Sequence, residues 1–281
     1  MFYILSMPLP TPLERLLAEY PSLLVGYSGG VDSALVAVVA RRVLGSQRTV
    51  AAIGRSASFP SYQRQQALDI ARQFDVRLFE IDTHELDDAD YVANAPSRCY
   101  FCKRELWTRL CALAERHGMA AVADGTNADD IGDHRPGLAA AAERRVRAPL
   151  AEAGYTKAMV RAEARALRIP IWDAPASPCL SSRILYGLSV TPARLAQVER
   201  CEALLRALGV SGDLRVRHRG GEARIEVSAR QFGRLRAQRD VIARGFLDLG
   251  FERVTLDLDG YRRGSLLAAA EPRIELLAER A

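Results

Sequence analysis

The chain has 281 residues, of which 49% are hydrophobic and 26% are charged, a balance typical of globular proteins with ample material for a core. This length predicts two domains rather than one. The formal net charge is +5, with far more arginine than lysine, which suits ligands that carry phosphate but is too diffuse to indicate a nucleic-acid-binding protein. No apolar run approaches the roughly 18 residues of a membrane span, and the N-terminus lacks the features of a signal peptide. We therefore expect a cytoplasmic protein.

The first part of the chain alternates strands and helices. A lead-in helix is predicted at 13–20, strands at 22–27, 49–55, 76–82 and 120–123, and further helices at 34–44, 60–74 and 99–118. Such alternation predicts an α/β fold, in which a parallel sheet carries helices on both faces and binds its ligand at the carboxyl ends of the strands.

The first strand leads into the run S-G-G-V-D-S, which begins at Ser28. Gly29 and Gly30 let the backbone approach a phosphate without a Cβ in the way, and the N-terminus of the following helix favours an anion. Ser33 adds a second hydroxyl donor to that of Ser28, and Asp32 is a candidate ligand for Mg²⁺. The run lacks the lysine of the ordinary P-loop and the spacing of the dinucleotide fingerprint. The alternative is a glycine turn that serves topology alone.

Two more loops should open on the same edge of the sheet. The loop after the second strand, R-S-A-S-F-P, contains Ser58, and the loop after the fourth strand contains Gly125, Thr126 and Asn127. The latter loop is rich in carboxylates, namely Asp124, Asp129, Asp130 and Asp133. We interpret these loops as parts of a nucleotide and metal site, with a solvated acidic loop as the alternative.

Three motifs carry a resemblance that covers nearly the whole chain. S-G-G-V-D-S resembles the pyrophosphate loop of the PP-loop ATP pyrophosphatases, which cleave ATP between its α and β phosphates and adenylate a substrate oxygen. The runs D-G-T-N-x-D-D-x-x-D-x-R-P-G at 124–137 and W-D-x-P-A-x-P-C-L-x-S-R at 172–183 resemble those of the LarE family, the sulfur transferases that make the nickel-pincer nucleotide cofactor.

This resemblance implies an adenine nucleotide alpha hydrolase-like fold that uses ATP and Mg²⁺. It implies adenylation of the carboxylates of pyridinium-3,5-biscarboxylic acid mononucleotide, followed by sulfur insertion that expels AMP. It further implies a homo-oligomer and a sulfide or cysteine-derived sulfur source. The implied ATP-binding residues are Ser28, Gly29, Gly30, Asp32, Ser33, Ser58, Gly125, Thr126 and Asn127.

Five cysteines in a cytosolic chain of this size point to metal binding or catalysis rather than to disulfides. Cys179 is predicted on an irregular loop, because Pro175 and Pro178 exclude a regular helix. The nearby Arg183 favours its thiolate, although a buried structural cysteine is the usual alternative. Cys179 also matches the sulfur-donating cysteine of the LarE family.

Cys99 and Cys102 form a C-x-x-C pair with no second pair in the chain. A zinc site or a thioredoxin-like dithiol is conceivable. A third alternative joins the pair with Cys179, since three thiolates can hold a [4Fe-4S] cluster with one open iron. Some LarE-like proteins use such a cluster, whereas others sacrifice the cysteine that corresponds to Cys179, which becomes dehydroalanine. Because all three positions are present, we favour the cluster. Cys111 and Cys201 are expected in the core.

The character of the chain changes after Gly187, so we predict domains at 1–187 and 188–281. The second domain is expected to be a small α+β unit, with a ferredoxin-like arrangement as a candidate. Its predicted elements are helices at 191–208 and 231–249 and strands at 214–218, 223–228 and 254–258.

Arg215 and Arg217 share one face of a predicted strand. They are either solvated edge charges or, as the resemblance implies, contacts for the phosphate or carboxylates of the substrate, together with Ser182. We name Cys179, Arg183 and Arg215 as candidate catalytic residues. A PP-loop tRNA thiolase, an amide-forming synthetase and a non-catalytic nucleotide sensor are the rival hypotheses. The chain has no glutaminase segment, zinc ribbon or RNA-binding appendage that would favour either of the first two.

Overall fold

A computed structural model describes residues 9–132, 136–175, 178–262 and 272–280. The chain divides into two compact units, each built from several stretches. The first contains Met1–Arg55, Ser61–Thr83 and Cys102–Ala174, and the second contains Ser56–Pro60, His84–Phe101 and Pro175–Ala281. The boundary near residue 187 stays a prediction.

Each unit contains one four-stranded sheet. The strands are β1 Leu23–Gly26, β2 Thr49–Arg55, β3 Leu78–Asp82, β4 Ala121–Ala123, β5 Leu214–Arg219, β6 Glu222–Val227, β7 Arg253–Asp257 and β8 Ile274–Glu279. The helices are α1 Pro12–Ala18, α2 Val31–Leu44, α3 Ser61–Gln73, α4 Ala89–Val92, α5 Arg98–Arg116, α6 Pro136–Glu143, α7 Pro149–Glu152, α8 Lys157–Ala166, α9 Pro192–Ala207, α10 Phe232–Ala237 and α11 Arg239–Asp248.

The sheet of the first unit has the order β3-β2-β1-β4, and every neighbouring pair is parallel. This confirms the α/β prediction. Helix α2 is buried on most of its surface, because it packs against β1, β2, α1 and α8. Glycines let α5 approach the sheet closely, since a Cβ added at Gly26 would lie 2.6 Å from the ring of Trp107.

The sheet of the second unit has the order β5-β6-β7-β8, with β6 and β7 parallel and the outer pairs antiparallel. The ferredoxin-like arrangement is therefore wrong, because two hairpins lie side by side rather than interleaved. Strand β8 was not predicted. The single helix predicted at 231–249 is interrupted at Gln238, whose φ of −113° and ψ of 17° leave the helical region.

Local sequence signals set several helix boundaries. Thr156 and Thr191 cap α8 and α9, and their side chains accept from the N–H groups of Met159 and Arg194. Pro192 occupies the first turn of α9.

No helix within the described ranges is long and apolar enough to cross a membrane.

Candidate functional site

The order of the first sheet creates a place for a ligand. Strands β2 and β4 lie on opposite sides of β1. From β1 the chain adds β2 and β3 on one side, and it then crosses to the other side of β1 to form β4. In open parallel sheets, ligands bind at such a switch point, outside the carboxyl ends of the strands. The loops that follow β1 and β4 are two of the three loops that the sequence predicted to bind ATP.

The S-G-G-V-D-S loop has the conformation that a phosphate site needs. Gly29 has a φ of +71°, which favours glycine, and a Cβ there would lie 3.0 Å from that of Ala67. Gly30 is the N-cap of α2, and in the described structure no side chain caps this helix end. The first turn therefore offers its N–H groups to an anion without competition from a side-chain cap.

Hydrogen bonds hold this loop in place. The Oγ atoms of Ser28 and Ser33 lie 3.1 Å apart, and Ser33 Oγ donates to the carbonyl of Gly30 at 3.1 Å. Gln63 Nε2 donates to the carbonyl of Ser28 at 2.7 Å. The loop is thus preorganised before any ligand binds, and Gln63 is a positioning residue that sequence reasoning missed.

Gly125 brings the loop after β4 against the start of α2. A Cβ at Gly125 would lie 2.6 Å from the backbone nitrogen of Ser33 and 3.0 Å from the carbonyl carbon of Asp32. Only glycine permits this approach, because the opposing atoms are backbone. The loops after β1 and β4 therefore form one continuous surface in the first unit.

Asp32 is the centre of a polar network. Its Oδ2 lies 2.5 Å from Lys157 Nζ, and its Oδ1 accepts from Asn127 Nδ2 at 3.2 Å. Asn127 is 3% exposed and also accepts from the N–H of Asp129. The Asp129 carboxylate in turn accepts from the backbone N–H of Lys157 at 2.8 Å. A hard carboxylate oxygen of this kind fits Mg²⁺.

Asp124 begins the loop after β4. Burial raises the pKa of its carboxyl group, and hydrogen bonds from the N–H and Oγ1 of Thr126, at 2.8 and 2.9 Å, oppose that shift. The positive charge of Lys103 also opposes the rise in the pKa of Asp124. The role of Asp124 in this geometry is to fold the loop around Thr126. Asp133 lies outside the described residues.

Cys179 lies in the second unit, directly before the short 3-10 helix Leu180–Arg183. Its thiol is free and half-buried. Its carbonyl accepts from Ser182 Oγ at 2.7 Å and from Arg183 Nη1 at 2.9 Å. The next residue, Leu180, donates its N–H to the carbonyl of Ser58 at 2.8 Å. Ser58 is therefore a direct backbone partner of the Cys179 turn.

Arg98 links this turn to the start of α5. It is 2% exposed, and its Nη1 donates to the carbonyl of Ser181 at 2.8 Å and to Asn94 Oδ1 at 2.5 Å. Burial acts to lower the pKa of Arg98, but Cys179 and Cys99 raise it above its ordinary value. Both thiols therefore lie near one buried cation.

Three more arginines surround the same turn. Arg183 is fully buried and pairs with both carboxylate oxygens of Glu202, at 2.9 and 3.2 Å. Arg217 donates to the carbonyl of Ser182 at 2.9 Å and to Glu226 at 2.7 Å. Arg215 is 3% exposed, and burial lowers its pKa. Glu202 and Glu226 thus balance two of these three buried positive charges.

The positions of these arginines differ from the sequence-based picture. Arg215 and Arg217 are buried, so they are not solvated edge charges. Arg183 contacts the backbone of the Cys179 turn, which makes it a positioning residue in this geometry. His218 does not add charge to this region near neutral pH, because burial lowers its pKa to about 4.

Replacing Arg183 with methionine is expected to destabilise the protein by about 3–5 kcal/mol, because Glu202 is left buried and unpaired. Urea unfolding of Arg183→Met, Glu202→Gln and the double variant measures this. The free energy of unfolding of the double variant should fall by less than the sum of the decreases in the two single variants. Additive losses would mean that the ion pair contributes nothing.

The predicted iron–sulfur cluster would take its ligands from three cysteine thiolates. The side chains of Cys99, Cys102 and Cys179 are exposed or half-buried, and thiolates are the donors that such clusters take. Cys102 follows Cys99 by one turn of α5. No group of three His, Cys, Asp or Glu side chains in the described part of the chain lies close enough to hold a single metal ion.

Known proteins are similar to this chain in sequence. The family model for NAD synthase matches residues 15–111, which include the S-G-G-V-D-S loop. The pyridinium-3,5-bisthiocarboxylic acid mononucleotide synthase of Lactiplantibacillus plantarum, a LarE protein, is 36% identical over 254 residues, which cover 90% of this chain and 92% of that protein. The chain belongs to the LarE family. It is therefore an ATP-dependent sulfurtransferase of the PP-loop group.

Two further similarities accompany this membership. An uncharacterized protein of Synechocystis is 42% identical to this LarE-family chain, over 90% of the chain and 95% of that protein. Among solved structures, NMN synthetase from Francisella tularensis has 20% sequence identity and a TM-score of 0.45, and the match covers 58% of this chain and 72% of that one.

Sequence reasoning missed one charged residue in each of the two units of this LarE-family chain. Lys157 is the first residue of α8, where a cation opposes the helix dipole, and this unfavourable position was a signal for a tertiary partner. Arg98 directly precedes the C-x-x-C pair. Its burial depends on contacts with Asn94 and Ser181, which no local pattern predicts.

Proposed function

We propose that this LarE-family enzyme makes pyridinium-3,5-bisthiocarboxylic acid mononucleotide for the nickel-pincer nucleotide cofactor. Its substrates are ATP and pyridinium-3,5-biscarboxylic acid mononucleotide, and sulfur replaces an oxygen of each carboxylate. The close approach of Gly125 to the first turn of α2 carries this proposal, because it joins two loops into one phosphate-binding surface at the switch point of the sheet.

The first chemical step is adenylation. A carboxylate oxygen of the substrate forms a bond to the α-phosphorus of ATP, the bond from that phosphorus to the β-phosphate oxygen breaks, and pyrophosphate leaves with the electron pair. The N–H groups at the start of α2, with Ser28, Gly29, Gly30 and Ser33, bind the triphosphate and stabilise its charge. Asp32 is the residue that would hold Mg²⁺, which neutralises phosphate charge when bound.

The loop after β4 completes the proposed nucleotide contacts. Gly125 permits the close approach, Thr126 is held by Asp124, and Asn127 orients Asp32. The role of Ser58 in binding ATP stays a prediction, since its side chain donates to the buried Glu85 at 3.2 Å.

The second step is sulfur transfer. A sulfur nucleophile attacks the carboxyl carbon of the acyl-adenylate, the bond to the AMP oxygen breaks, and AMP leaves. Arg215, Arg217 and Ser182 are the proposed contacts for the anionic groups of the pyridinium nucleotide. Arg183 orients the Cys179 turn through its hydrogen bond to the Cys179 carbonyl.

The proposed sulfur source is a [4Fe-4S] cluster held by Cys99, Cys102 and Cys179. When bound, such a cluster offers one iron without a protein ligand for a hydrosulfide, so that sulfur is replaced between turnovers. In the alternative, the Cys179 sulfur itself attacks the acyl carbon. The Cβ–S bond of Cys179 then breaks with loss of its Cα proton, which leaves a thiocarboxylate on the substrate and dehydroalanine in the protein.

Three further proposals rest on the family resemblance. We propose that the enzyme is a cytoplasmic homo-oligomer and that its sulfur comes from sulfide or cysteine. We also propose that residues 188–281 contribute to substrate binding and assembly.

Pyrophosphate release tests this function against that of a nucleotide sensor. The purified protein with MgATP should release pyrophosphate only when the pyridinium biscarboxylate mononucleotide is added. Nicotinic acid mononucleotide, which carries one carboxylate on the same ring, is the matched control for substrate choice. Binding of ATP without any pyrophosphate release would favour the sensor.

A further inference from the structure

Arg98 is a buried cation whose partners in the described part of the chain carry no negative charge. Its Nη1 donates to the carbonyl of Ser181 at 2.8 Å and to Asn94 Oδ1 at 2.5 Å. The ring of Tyr186 lies 5.8 Å from its guanidinium carbon. No carboxylate of the described residues forms an ion pair with Arg98. A buried charge of this kind is costly unless an anion compensates it.

Two other arginines of the same unit have carboxylate partners. Arg183 lies 2.9 Å from Glu202, and Arg217 lies 2.7 Å from Glu226. Both pairs are almost completely buried, so each guanidinium is compensated where it lies. Arg98 is just as deeply buried, and its surroundings offer it cysteine instead of aspartate or glutamate.

Two thiols flank Arg98 in the second unit. Cys99 is the next residue of the chain, and Ser181, whose carbonyl Arg98 binds, comes two positions after Cys179. Negative charge on Cys179 and on Cys99 raises the pKa of Arg98 against the effect of burial. The Cys99 side chain is exposed and that of Cys179 is half-buried, so small ligands can reach both. The anion that this cation requires is therefore sulfur.

Hydrogen bonds fix the guanidinium between the start of α5 and the Cys179 turn. The hydroxyl of Tyr91 lies 2.6 Å from that of Ser181, and both are buried. Asn94 is fully buried and donates to the carbonyls of Leu185 and Leu188 at 2.9 and 2.8 Å. No hydrogen bond joins Nε or Nη2 of Arg98 to another described residue. These donors are thus held in place before an anion arrives, which is the arrangement that stabilises charge most effectively.

We propose that Arg98 binds the anionic sulfur that this enzyme transfers, as a thiolate or a hydrosulfide at the Cys179 turn. This inference rests on the proposed function. A lone pair of the sulfur forms the bond to the carboxyl carbon, the bond from that carbon to the AMP oxygen breaks, and AMP keeps the electron pair. A hydrosulfide then releases its remaining proton to solvent. Arg98 keeps all its protons and holds the sulfur as an anion until it attacks.

Two alkylating reagents measure the charge beside a thiol. Iodoacetate is an anion and iodoacetamide is neutral, and both react with the thiolate. The ratio of their rates at one cysteine therefore reports local charge and not the thiolate fraction. In full-length protein freed of iron by chelation, this ratio at Cys179 should be about fivefold higher than in urea-unfolded protein. The difference should shrink when the salt concentration rises from about 0.01 M to about 0.5 M.

Three variants assign this charge. Arg98→Met should remove most of the difference in the Cys179 ratio, whereas Arg98→Lys should keep it, because the ammonium retains the charge without the geometry of the guanidinium. Arg109→Met is the matched control, since it removes an exposed cation that pairs with Glu105 on the same helix. Its ratio should equal that of wild type. Peptide mass spectrometry gives the rate at each cysteine.

Activity provides the second measurement. Arg98→Met should lower thiocarboxylate formation by about 100-fold, while substrate-dependent pyrophosphate release stays within about threefold of wild type. Arg98→Lys should restore part of the lost thiocarboxylate formation.

A clamp that only holds the Cys179 turn predicts a different result. Loss of Arg98 would then change the rates of both reagents equally, and an unchanged ratio in Arg98→Met would overturn the inference. If that variant does not fold, a wild-type ratio no higher than that of the unfolded protein overturns it instead. The alkylation ratio needs neither ATP nor substrate. Failure of wild type to form any thiocarboxylate would therefore refute the proposed function separately.

Discussion

Replacing Gly125 with alanine is expected to abolish MgATP binding and substrate-dependent pyrophosphate release. The added Cβ would lie 2.6 Å from the backbone nitrogen of Ser33. The next two atoms, the carbonyl carbon of Asp32 and the Cα of Ser33, lie at 3.0 Å and also belong to the backbone. Neither can rotate away, so the loop after β4 or the first turn of α2 must shift. A displacement of about 1 Å in a phosphate-binding site costs on the order of 100-fold in rate.

A matched glycine separates this effect from a general loss of stability. Gly233 lies in α10, and an added Cβ there meets no atom within 4 Å. Gly233→Ala should keep full activity and gain up to about 1 kcal/mol in the free energy of unfolding. Calorimetry with MgATP and thermal unfolding of both variants provide the measurements. A folded Gly125→Ala protein that binds MgATP like wild type would show that the two loops do not form the nucleotide surface.

Replacing Cys179 with serine is expected to stop thiocarboxylate formation while adenylation continues. The hydroxyl group keeps the size of the side chain but supplies neither a cluster thiolate nor a sulfur atom, and losing the sulfur source costs at least about 1,000-fold. Pyrophosphate release should persist, because the adenylation residues lie in the loops after β1 and β4. Mass spectrometry of the nucleotide product, together with a pyrophosphate assay, tests both halves of this prediction.

Cys111 is the control thiol. It lies on α5 and is half-buried, and burial raises the pKa of its thiol, which keeps it unreactive. Cys111→Ser should therefore retain thiocarboxylate formation. Equal loss of product in the two variants would contradict the assignment of Cys179.

Iron analysis of anaerobically purified protein distinguishes the two sulfur sources. The cluster hypothesis predicts about four irons per chain with matching acid-labile sulfide, lost in Cys99→Ala, Cys102→Ala and Cys179→Ala alike. An iron-free protein in which Cys179 becomes dehydroalanine after turnover would support the sacrificial alternative.

Local sequence signals predicted the first unit well. The buried strand β1, the glycine turn after it and the apolar helix α2 follow from hydrophobic pattern and turn chemistry over adjacent residues. The N-caps Thr156 and Thr191 are equally local. The parallel sheet then follows from the alternation of strands and helices.

What sequence reasoning missed depends on residues that are distant along the chain. The partner of Asp32 is Lys157, which lies 125 positions later, and the contacts of Arg98 with Ser181 span 83 positions. Strand β8 shows an irregular pairing with β7 near Val254, and its charged ends weaken the strand pattern. The break at Gln238 accompanies a contact with a distant residue, because the Gln238 side chain donates to the carbonyl of Leu208 at 3.1 Å.

Product analysis tests the central claim most directly. Anaerobic protein is mixed with MgATP, a sulfur source and pyridinium-3,5-biscarboxylic acid mononucleotide, and AMP and the nucleotide products are followed by mass spectrometry. The account predicts one carboxylate oxygen exchanged for sulfur for each AMP released, with both carboxylates converted at completion. AMP release with the carboxylates unchanged, or with nitrogen in place of oxygen when ammonia is present, would contradict sulfur transfer as the function of this enzyme.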